Sequence, residues 1–186
     1  MKKINDIKRK ASVVCPDCLE DFETEIYRVV NIPFELEKKF EPMKLNIVKC
    51  PFCDKTFQVG ERVLIVDNES EIVFIVFPDS DEDDRFTRSV FREVKLILKD
   101  LALDSYEFIL IVGIEKFYYI IKLRENKAML ESISAKLITI NKKSLFYRKL
   151  EIIAEVILES GLSVDDFNSE ENIMKLKERL GNIVGF

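Results

Sequence analysis

Two short stretches of this sequence, CPDC at residues 15–18 and CPFC at residues 50–53, contain all four cysteines of the chain. Each is followed by a phenylalanine at the same offset, Phe22 and Phe57, so the motif C-P-x-C-x-x-x-F occurs twice. Two residues between cysteines form a tight turn that directs both sulfurs to one point, and two such turns supply the tetrahedral thiolate set that zinc prefers. The predicted ligands of one Zn²⁺ per chain are Cys15, Cys18, Cys50 and Cys53.

The predicted zinc has a structural role, because four protein ligands leave no open position for water. The apparent binding free energy of such sites, roughly 10–16 kcal/mol, matches or exceeds the ~5–15 kcal/mol stability of a whole domain. We therefore expect the metal to decide whether the N-terminal domain folds. Three alternatives stay open for the cysteines: an iron–sulfur cluster on the same ligands, two local disulfides, which a reducing compartment disfavours, or four unrelated buried thiols.

The composition of the chain excludes several classes of function. The chain has no histidine, which excludes Ser-His-Asp and Cys-His catalysis and His-bound catalytic metals. Catalysis by carboxylates, lysine or tyrosine alone stays open, but the carboxylates and tyrosines form no motif with a reaction attached, so we expect no enzyme. The net charge of −5 is spread evenly along the chain, without the positive excess that a phosphate backbone demands.

Hydrophobic patterning predicts short strands around the two motifs. Residues 22–32, 45–49 and 56–66 each have strand character, and 34–40 has that of a short helical turn. Residues 62–66 and 71–77 flank a turn-forming segment and are predicted to pair as a β-hairpin.

The second half is predicted to be mainly helical, from apolar residues at helical spacing within 90–101, 146–157 and 173–183. The apolar segment 106–123 has features of both strand and helix, and we favour one buried helix. A helix that is apolar all round needs cover on every side, from the N-terminal domain or from another chain. We expect another chain, as a homodimer or a hetero-complex.

These patterns predict an α+β protein in which a four-cysteine zinc ribbon with antiparallel β-hairpins precedes a mainly α-helical half. The predicted domains are 1–78 (ribbon), 79–86 (acidic linker) and 87–186 (helical). The acidic run 79–84 is expected to be a solvated linker, with a site for a divalent cation or a basic partner as the alternative.

Residues 1–10 lack the apolar core of a signal peptide. Their basic side chains are expected to belong to a frayed, solvated terminus rather than to contact a nucleic acid. Charges within 106–123 argue against a membrane span, because each is costly near the bilayer centre. We expect a cytoplasmic protein, in which the thiols stay reduced.

The two motifs, the segment IPFELE at 32–37 and the segment VLIVD at 63–67 resemble the CpXC domain family. The resemblance covers residues 13–78 and weakens through 101–104. It implies a bacterial protein with an N-terminal zinc ribbon and no settled biochemical function. That family usually has glycine after each C-P-x-C, where this chain has Leu19 and Asp54. Since leucine adopts left-handed backbone poorly, we expect the first turn to be more open than usual.

The sequence thus favours a zinc-stabilised protein-interaction or regulatory module without catalytic activity, which binds a protein partner or a second copy of itself. The alternative is a nucleic-acid-binding zinc ribbon. Against that alternative, the first motif carries Asp17, Glu20 and Asp21, which would repel phosphate.

Overall fold

The computed structural model describes residues 6–32, 44–77, 85–103, 105–134, 137, 140, 142–161 and 170–181. The predicted helical turn at 34–40 and the acidic run 79–84 lie outside these residues. The elements are β1 (Ile7–Val14), β2 (Asp21–Ile32), β3 (Ile47–Lys49), β4 (Thr56–Gln58), β5 (Val63–Asp67), β6 (Ile72–Phe77), α1 (Arg85–Asp100), β7 (Glu107–Val112), α2 (Ile114–Glu125), α3 (Lys127–Ile133), α4 (Lys143–Glu159) and α5 (Glu170–Gly181).

The strands form a mixed five-stranded sheet in the order β1-β2-β5-β6-β7, and β3 and β4 form a separate antiparallel pair. Strands β1 and β2, and β5 and β6, are antiparallel neighbours, whereas β2 and β5, and β6 and β7, run parallel. Parallel neighbours need a long crossover connection. The connection from β2 to β5 contains β3, the second cysteine motif and β4. Each motif therefore lies at the turn of one antiparallel pair.

The central strands β5 and β6 are buried along their whole length. Their sequences, VLIVD and IVFIVF, are nearly continuous runs of β-branched and aromatic residues, as in strands that are covered on both faces. Helix α1 supplies part of that cover. Its Val94 and Leu98 join a buried cluster with Val29, Leu64 and Ile75 of the sheet.

A second apolar cluster lies beneath the cysteine motifs. It joins Ala11 and Val13 of β1 and Ile26 of β2 to Val48 and Val59 around the β3–β4 pair. The cluster ties the separate two-stranded ribbon to the edge of the five-stranded sheet, so both motifs rest on one small core.

Two features distinguish the middle of strand β2: a bulge in its pairing with β1 and hydrogen bonds from a buried asparagine. The pairing register with β1 shifts between Ile7 and Lys8, which pair with Val29 and Tyr27 and leave Arg28 as an unpaired bulge residue. The buried side chain of Asn46, a residue whose backbone φ is +54°, binds the backbone N–H and carbonyl of Tyr27, as a neighbouring strand would. Its Oδ1 accepts from the Tyr27 N–H at 2.7 Å, and its Nδ2 donates to the Tyr27 carbonyl at 3.1 Å.

The chain divides into two compact units, Met1–Ile114 and Glu115–Phe186. Helix α1 and strand β7 belong with the sheet, so this division falls after the acidic linker predicted at 79–86. In the second unit α5 packs on α3 and α4, with Leu176 and Leu180 buried. Asn126 caps α3 by accepting the Met129 N–H at 3.0 Å.

The α+β class and most predicted elements are confirmed, including the strand at 22–32, the β5–β6 hairpin and helices α1, α4 and α5. The single helix predicted at 106–123 is wrong, because the segment is strand β7 followed by helix α2. Gly113, with φ +95°, separates them. Ile111 and Phe117 are fully buried within this chain, which removes the reason for requiring a second chain to cover that segment.

Two further predictions need correction. Residues 56–66 form two strands, β4 and β5, instead of one. Lys8, Arg9 and Lys10 do not belong to a frayed terminus, because they lie in β1 and pair with β2. The charged pattern of β1 concealed a strand that its pairing partner stabilises.

Candidate metal centre

The structure brings the four predicted cysteines together. All four Sγ atoms lie within 4.8 Å of one another. Two of the separations that join one motif to the other are 3.5 Å, for Cys15–Cys53, and 3.6 Å, for Cys18–Cys50. Four sulfurs at ~2.3 Å from a zinc ion form a regular tetrahedron whose edges are about 3.8 Å long. That length lies between the 3.5 Å Cys15–Cys53 distance and the 4.8 Å upper limit. The thiols are free, with none in a disulfide. The four sulfurs could therefore hold one metal ion.

The two turns have the same backbone geometry. In the first, the Cys15 N–H donates to the Glu20 carbonyl and the Leu19 N–H donates to the Cys15 carbonyl, both at 3.0 Å. The equivalent bonds around Cys50 are 2.8 and 3.1 Å. Leu19 and Asp54 both have φ +62°. The prediction of a more open first turn is therefore wrong: leucine adopts the left-handed conformation in which glycine is favoured.

The repeated phenylalanines support the turns from below. Phe22 and Phe57 meet edge to face, with ring centroids 6.3 Å apart and an interplanar angle of 87°, and both pack on the small core beneath the motifs. Cys15 and Cys50 are buried above this core, whereas Cys53 is exposed. The Phe52 N–H donates to the Cys50 sulfur at 3.4 Å.

Neighbouring groups separate the pKa values of the thiols. For Cys15 the largest single effect is burial, which raises the pKa. Hydrogen bonds from the backbone N–H groups of Cys18 and Asp17, together with those from the Cys53 and Cys18 thiols, outweigh burial and lower the pKa to about 7. At Cys53 the backbone hydrogen bond from Lys55 lowers the pKa, while burial and hydrogen bonds with the other thiols together raise it to about 12.

At Cys18 the hydrogen bond from the Glu20 backbone lowers the pKa, as does a hydrogen bond with Cys53, but burial and hydrogen bonds with Cys15 and Cys50 outweigh both and raise it. One thiol of the cluster thus ionises easily while others keep their protons. Four thiolates this close repel one another, and a divalent cation among them removes that repulsion and displaces the protons.

Ion pairs neutralise the basic side chains next to the motifs. Lys49 lies 2.6 Å from Asp54, and Lys55 of the second motif lies 3.8 Å from Asp17 of the first. These pairs are exposed and contribute little to stability. They do, however, leave the surface around the cysteines without a concentration of free positive charge.

The motifs also present apolar side chains to solvent, which the sequence analysis did not foresee. Leu19 is 75% exposed, Phe52 61% and Val14 56%. Val14 directly precedes Cys15, Leu19 directly follows Cys18, and Phe52 lies between Cys50 and Cys53. The signal in the sequence was Leu19 itself, a large apolar residue at a position where the backbone favours glycine.

Paired C-P-x-C turns on two antiparallel strand pairs bring four thiols together in a ribbon that could hold a metal ion. The chain belongs to the CpXC family: the family described as CpXC protein matches residues 13–136. The match confirms the resemblance seen at 13–78 and extends it through β7, α2 and α3. Comparison with curated proteins and with solved structures gave no match.

Proposed function

We propose that this chain is a zinc-stabilised protein-interaction or regulatory module without catalytic activity. Zinc is the metal that best suits four thiolates in a closed, tetrahedral set, because it selects soft sulfur ligands and imposes no further geometry. The fit of the four sulfurs to a tetrahedron of that size supports one zinc per chain. With all four positions taken by protein, the ion stabilises structure and has no site for a substrate.

The observation that carries the interaction role is the exposure of large apolar side chains on the metal-binding turns. Leu19 and Phe52 each place most of their surface in water. Leu19 does so from a left-handed backbone conformation that costs about 1–2 kcal/mol relative to glycine. Strain of this kind persists where function requires it, and apolar groups on a rigid support are typical anchors of protein interfaces. We infer that the turns contact a protein partner or a second copy of the chain.

The other functions considered have less support. A nucleic-acid role would need free cations near the motifs, where Lys49 and Lys55 are paired with acids. No described helix is long and apolar enough to cross a membrane. We propose a cytoplasmic location, since zinc binding requires the cysteines to stay reduced.

Site-specific photo-crosslinking in the native host tests the proposed interface. A benzophenone amino acid at position 52 should crosslink to one discrete partner, or to a second copy of this chain. The same probe at Leu96 of α1, which is 64% exposed in the same unit, is the matched control and should not give that product.

Phe52→Ser should remove the partner from purifications of the tagged chain without lowering the zinc content, because Phe52 is not a ligand. Retention of the partner by Phe52→Ser and Leu19→Ser would contradict an interface at the turns. A product at position 96 equal to that at position 52 would contradict it as well.

A further inference from the structure

An arginine-lined cavity of about 220 Å³ lies away from the cysteines, at the edge of the sheet beside helix α1. Arg9 of β1, Arg28 of β2 and Arg62 before β5 line it, together with the carboxylates of Glu61 and Glu93. Three guanidinium groups from three neighbouring segments therefore converge on one small space. Groups of like charge are brought together at a cost, unless anions compensate them.

The two glutamates compensate two of the arginines. Arg9 pairs with Glu61, and Arg62 pairs with Glu93. Arg28 lies 3.6 Å from Glu93, which Arg62 already engages. This ion pair involves one terminal nitrogen of the Arg28 guanidinium. The other N–H donors of its planar fork can therefore bind another acceptor.

The backbone places Arg28 at this cavity by a specific device. Arg28 is the residue that the β1–β2 bulge leaves without a partner. Bulges re-aim a side chain, and they recur beside functional sites. The buried Asn46 side chain holds the backbone of the preceding residue, Tyr27, through two hydrogen bonds. The position of the bulge is therefore supported from the side opposite β1.

Charge and shape indicate what the cavity would accept. Three guanidinium groups and two carboxylates leave one positive charge, which one carboxylate neutralises. A carboxylate matches the guanidinium fork with two parallel hydrogen bonds. Leu64 and Ile97 add an apolar wall for a short carbon chain. The volume is below the ~300–1,000 Å³ of typical drug-sized sites, so the ligand is small.

We propose that this cavity binds a small organic monocarboxylate, with Arg28 as its bidentate anchor and Arg9 and Arg62 as flanking cations. Glu61 and Glu93 hold the flanking guanidinium groups in place and set the net charge. A phosphate dianion carries a charge too many for the site. The proposal concerns a different surface from the metal-binding turns and does not depend on the partner proposed for them.

Titration of the zinc-loaded, ¹⁵N-labelled full chain with sodium butyrate, at constant ionic strength, tests this site. The expected result is a saturable shift of the Arg28 Nε–Hε resonance with a Kd of about 1 mM or lower, in reach of a ligand of this size. Arg28→Gln should weaken butyrate binding about tenfold or more, since a charge-assisted hydrogen bond is lost. The matched control is Arg92→Gln, an exposed arginine of α1 outside the cavity, which should change the Kd less than about twofold.

If Arg28→Gln fails to fold, the titration of the unmodified chain with butyrate still tests the proposal. No saturable shift of Arg28 up to about 20 mM butyrate overturns the proposal. Equal weakening by Arg92→Gln overturns it too, because the effect would then be general electrostatics. Inorganic phosphate that shifts Arg28 at lower concentration than butyrate overturns the assignment to a carboxylate.

Discussion

Replacement of Asn46 tests whether one side chain substitutes for a missing strand beside β2. Asn46 is 5% exposed, and its amide makes both hydrogen bonds of the Tyr27 backbone on that side. Asn46→Gly removes the amide but keeps a residue that accepts φ +54° without strain. Asn46→Ala removes the same amide and adds the backbone strain. The pair of variants therefore separates the two effects.

The expected magnitudes follow from these contacts. Each backbone group left without a partner costs about 1–3 kcal/mol, and Tyr27 is half-buried, so water recovers part of that cost. We expect Asn46→Gly to lower the free energy of unfolding by about 2–3 kcal/mol, including the added freedom of the unfolded chain. Asn46→Ala should cost about 1 kcal/mol more than Asn46→Gly, because its Cβ is strained in left-handed backbone and this strain exceeds the entropy that glycine adds to the unfolded chain.

Urea denaturation at a fixed free zinc concentration measures both values, since bound metal itself shifts stability. Hydrogen exchange at the Tyr27 amide gives a local readout, and its protection should fall in both variants. A loss below about 0.5 kcal/mol in Asn46→Gly, with Tyr27 still protected, would refute the reasoning. Equal losses in the two variants would refute the part assigned to backbone strain.

Three other predictions concern the metal centre. Leu19→Gly should raise the free energy of unfolding by about 0.5–1 kcal/mol, because relief of the left-handed strain exceeds the entropy that glycine adds to the unfolded chain. Urea denaturation measures the change, with Asp54→Gly, at the same φ in the second turn, as the comparison. A Leu19→Gly variant that is less stable than the parent chain would contradict the prediction. Cys50→Ser should abolish zinc binding and expose the first unit to proteolysis, while circular dichroism keeps most of the helical signal of Glu115–Phe186; concerted loss of both units would argue against their independence. Zinc binding at pH 7.5 should release at least two protons, because the raised pKa values of Cys18 and Cys53 keep both thiols protonated there and metal binding requires thiolates. Zinc affinity should then fall as the pH is lowered. Calorimetry in buffers of different ionisation enthalpy counts the protons, and release of fewer than one would contradict the assignment.

Local signals explain why the sequence predicted the metal centre and most elements. The C-P-x-C spacing and the helical spacing of α1, α4 and α5 are readable within a few residues, as is the turn between β5 and β6. Strand β1 escaped prediction because its stability comes from pairing with β2, while three consecutive charged residues, Lys8, Arg9 and Lys10, interrupt its apolar pattern. The break between β7 and α2 had a local signal in Gly113, whose left-handed φ allows the change of direction.

The arginine cavity could not have been predicted from the sequence. Arg9, Arg28 and Arg62 are far apart along the chain, and no spacing rule connects them. Their convergence depends on the order of the strands and on a one-residue shift in the β1–β2 register. A bulge has no dependable sequence signature here, so the orientation of Arg28 became visible only with the backbone in place.

The position of the second cysteine motif, inside the connection from β2 to β5, sets an order of events during translation. The ribosome adds about 5–20 residues per second, so the 32 positions from Cys18 to Cys50 take roughly 2–6 s. All four ligands are synthesised before β5, β6 and β7, the strands with the most apolar sequences. A nascent chain that captures its ion at that stage already holds β1, β2 and the β3–β4 pair together as each later strand arrives. If zinc is that ion, its supply would then influence how much newly made protein aggregates, in addition to its effect on the stability of the finished protein.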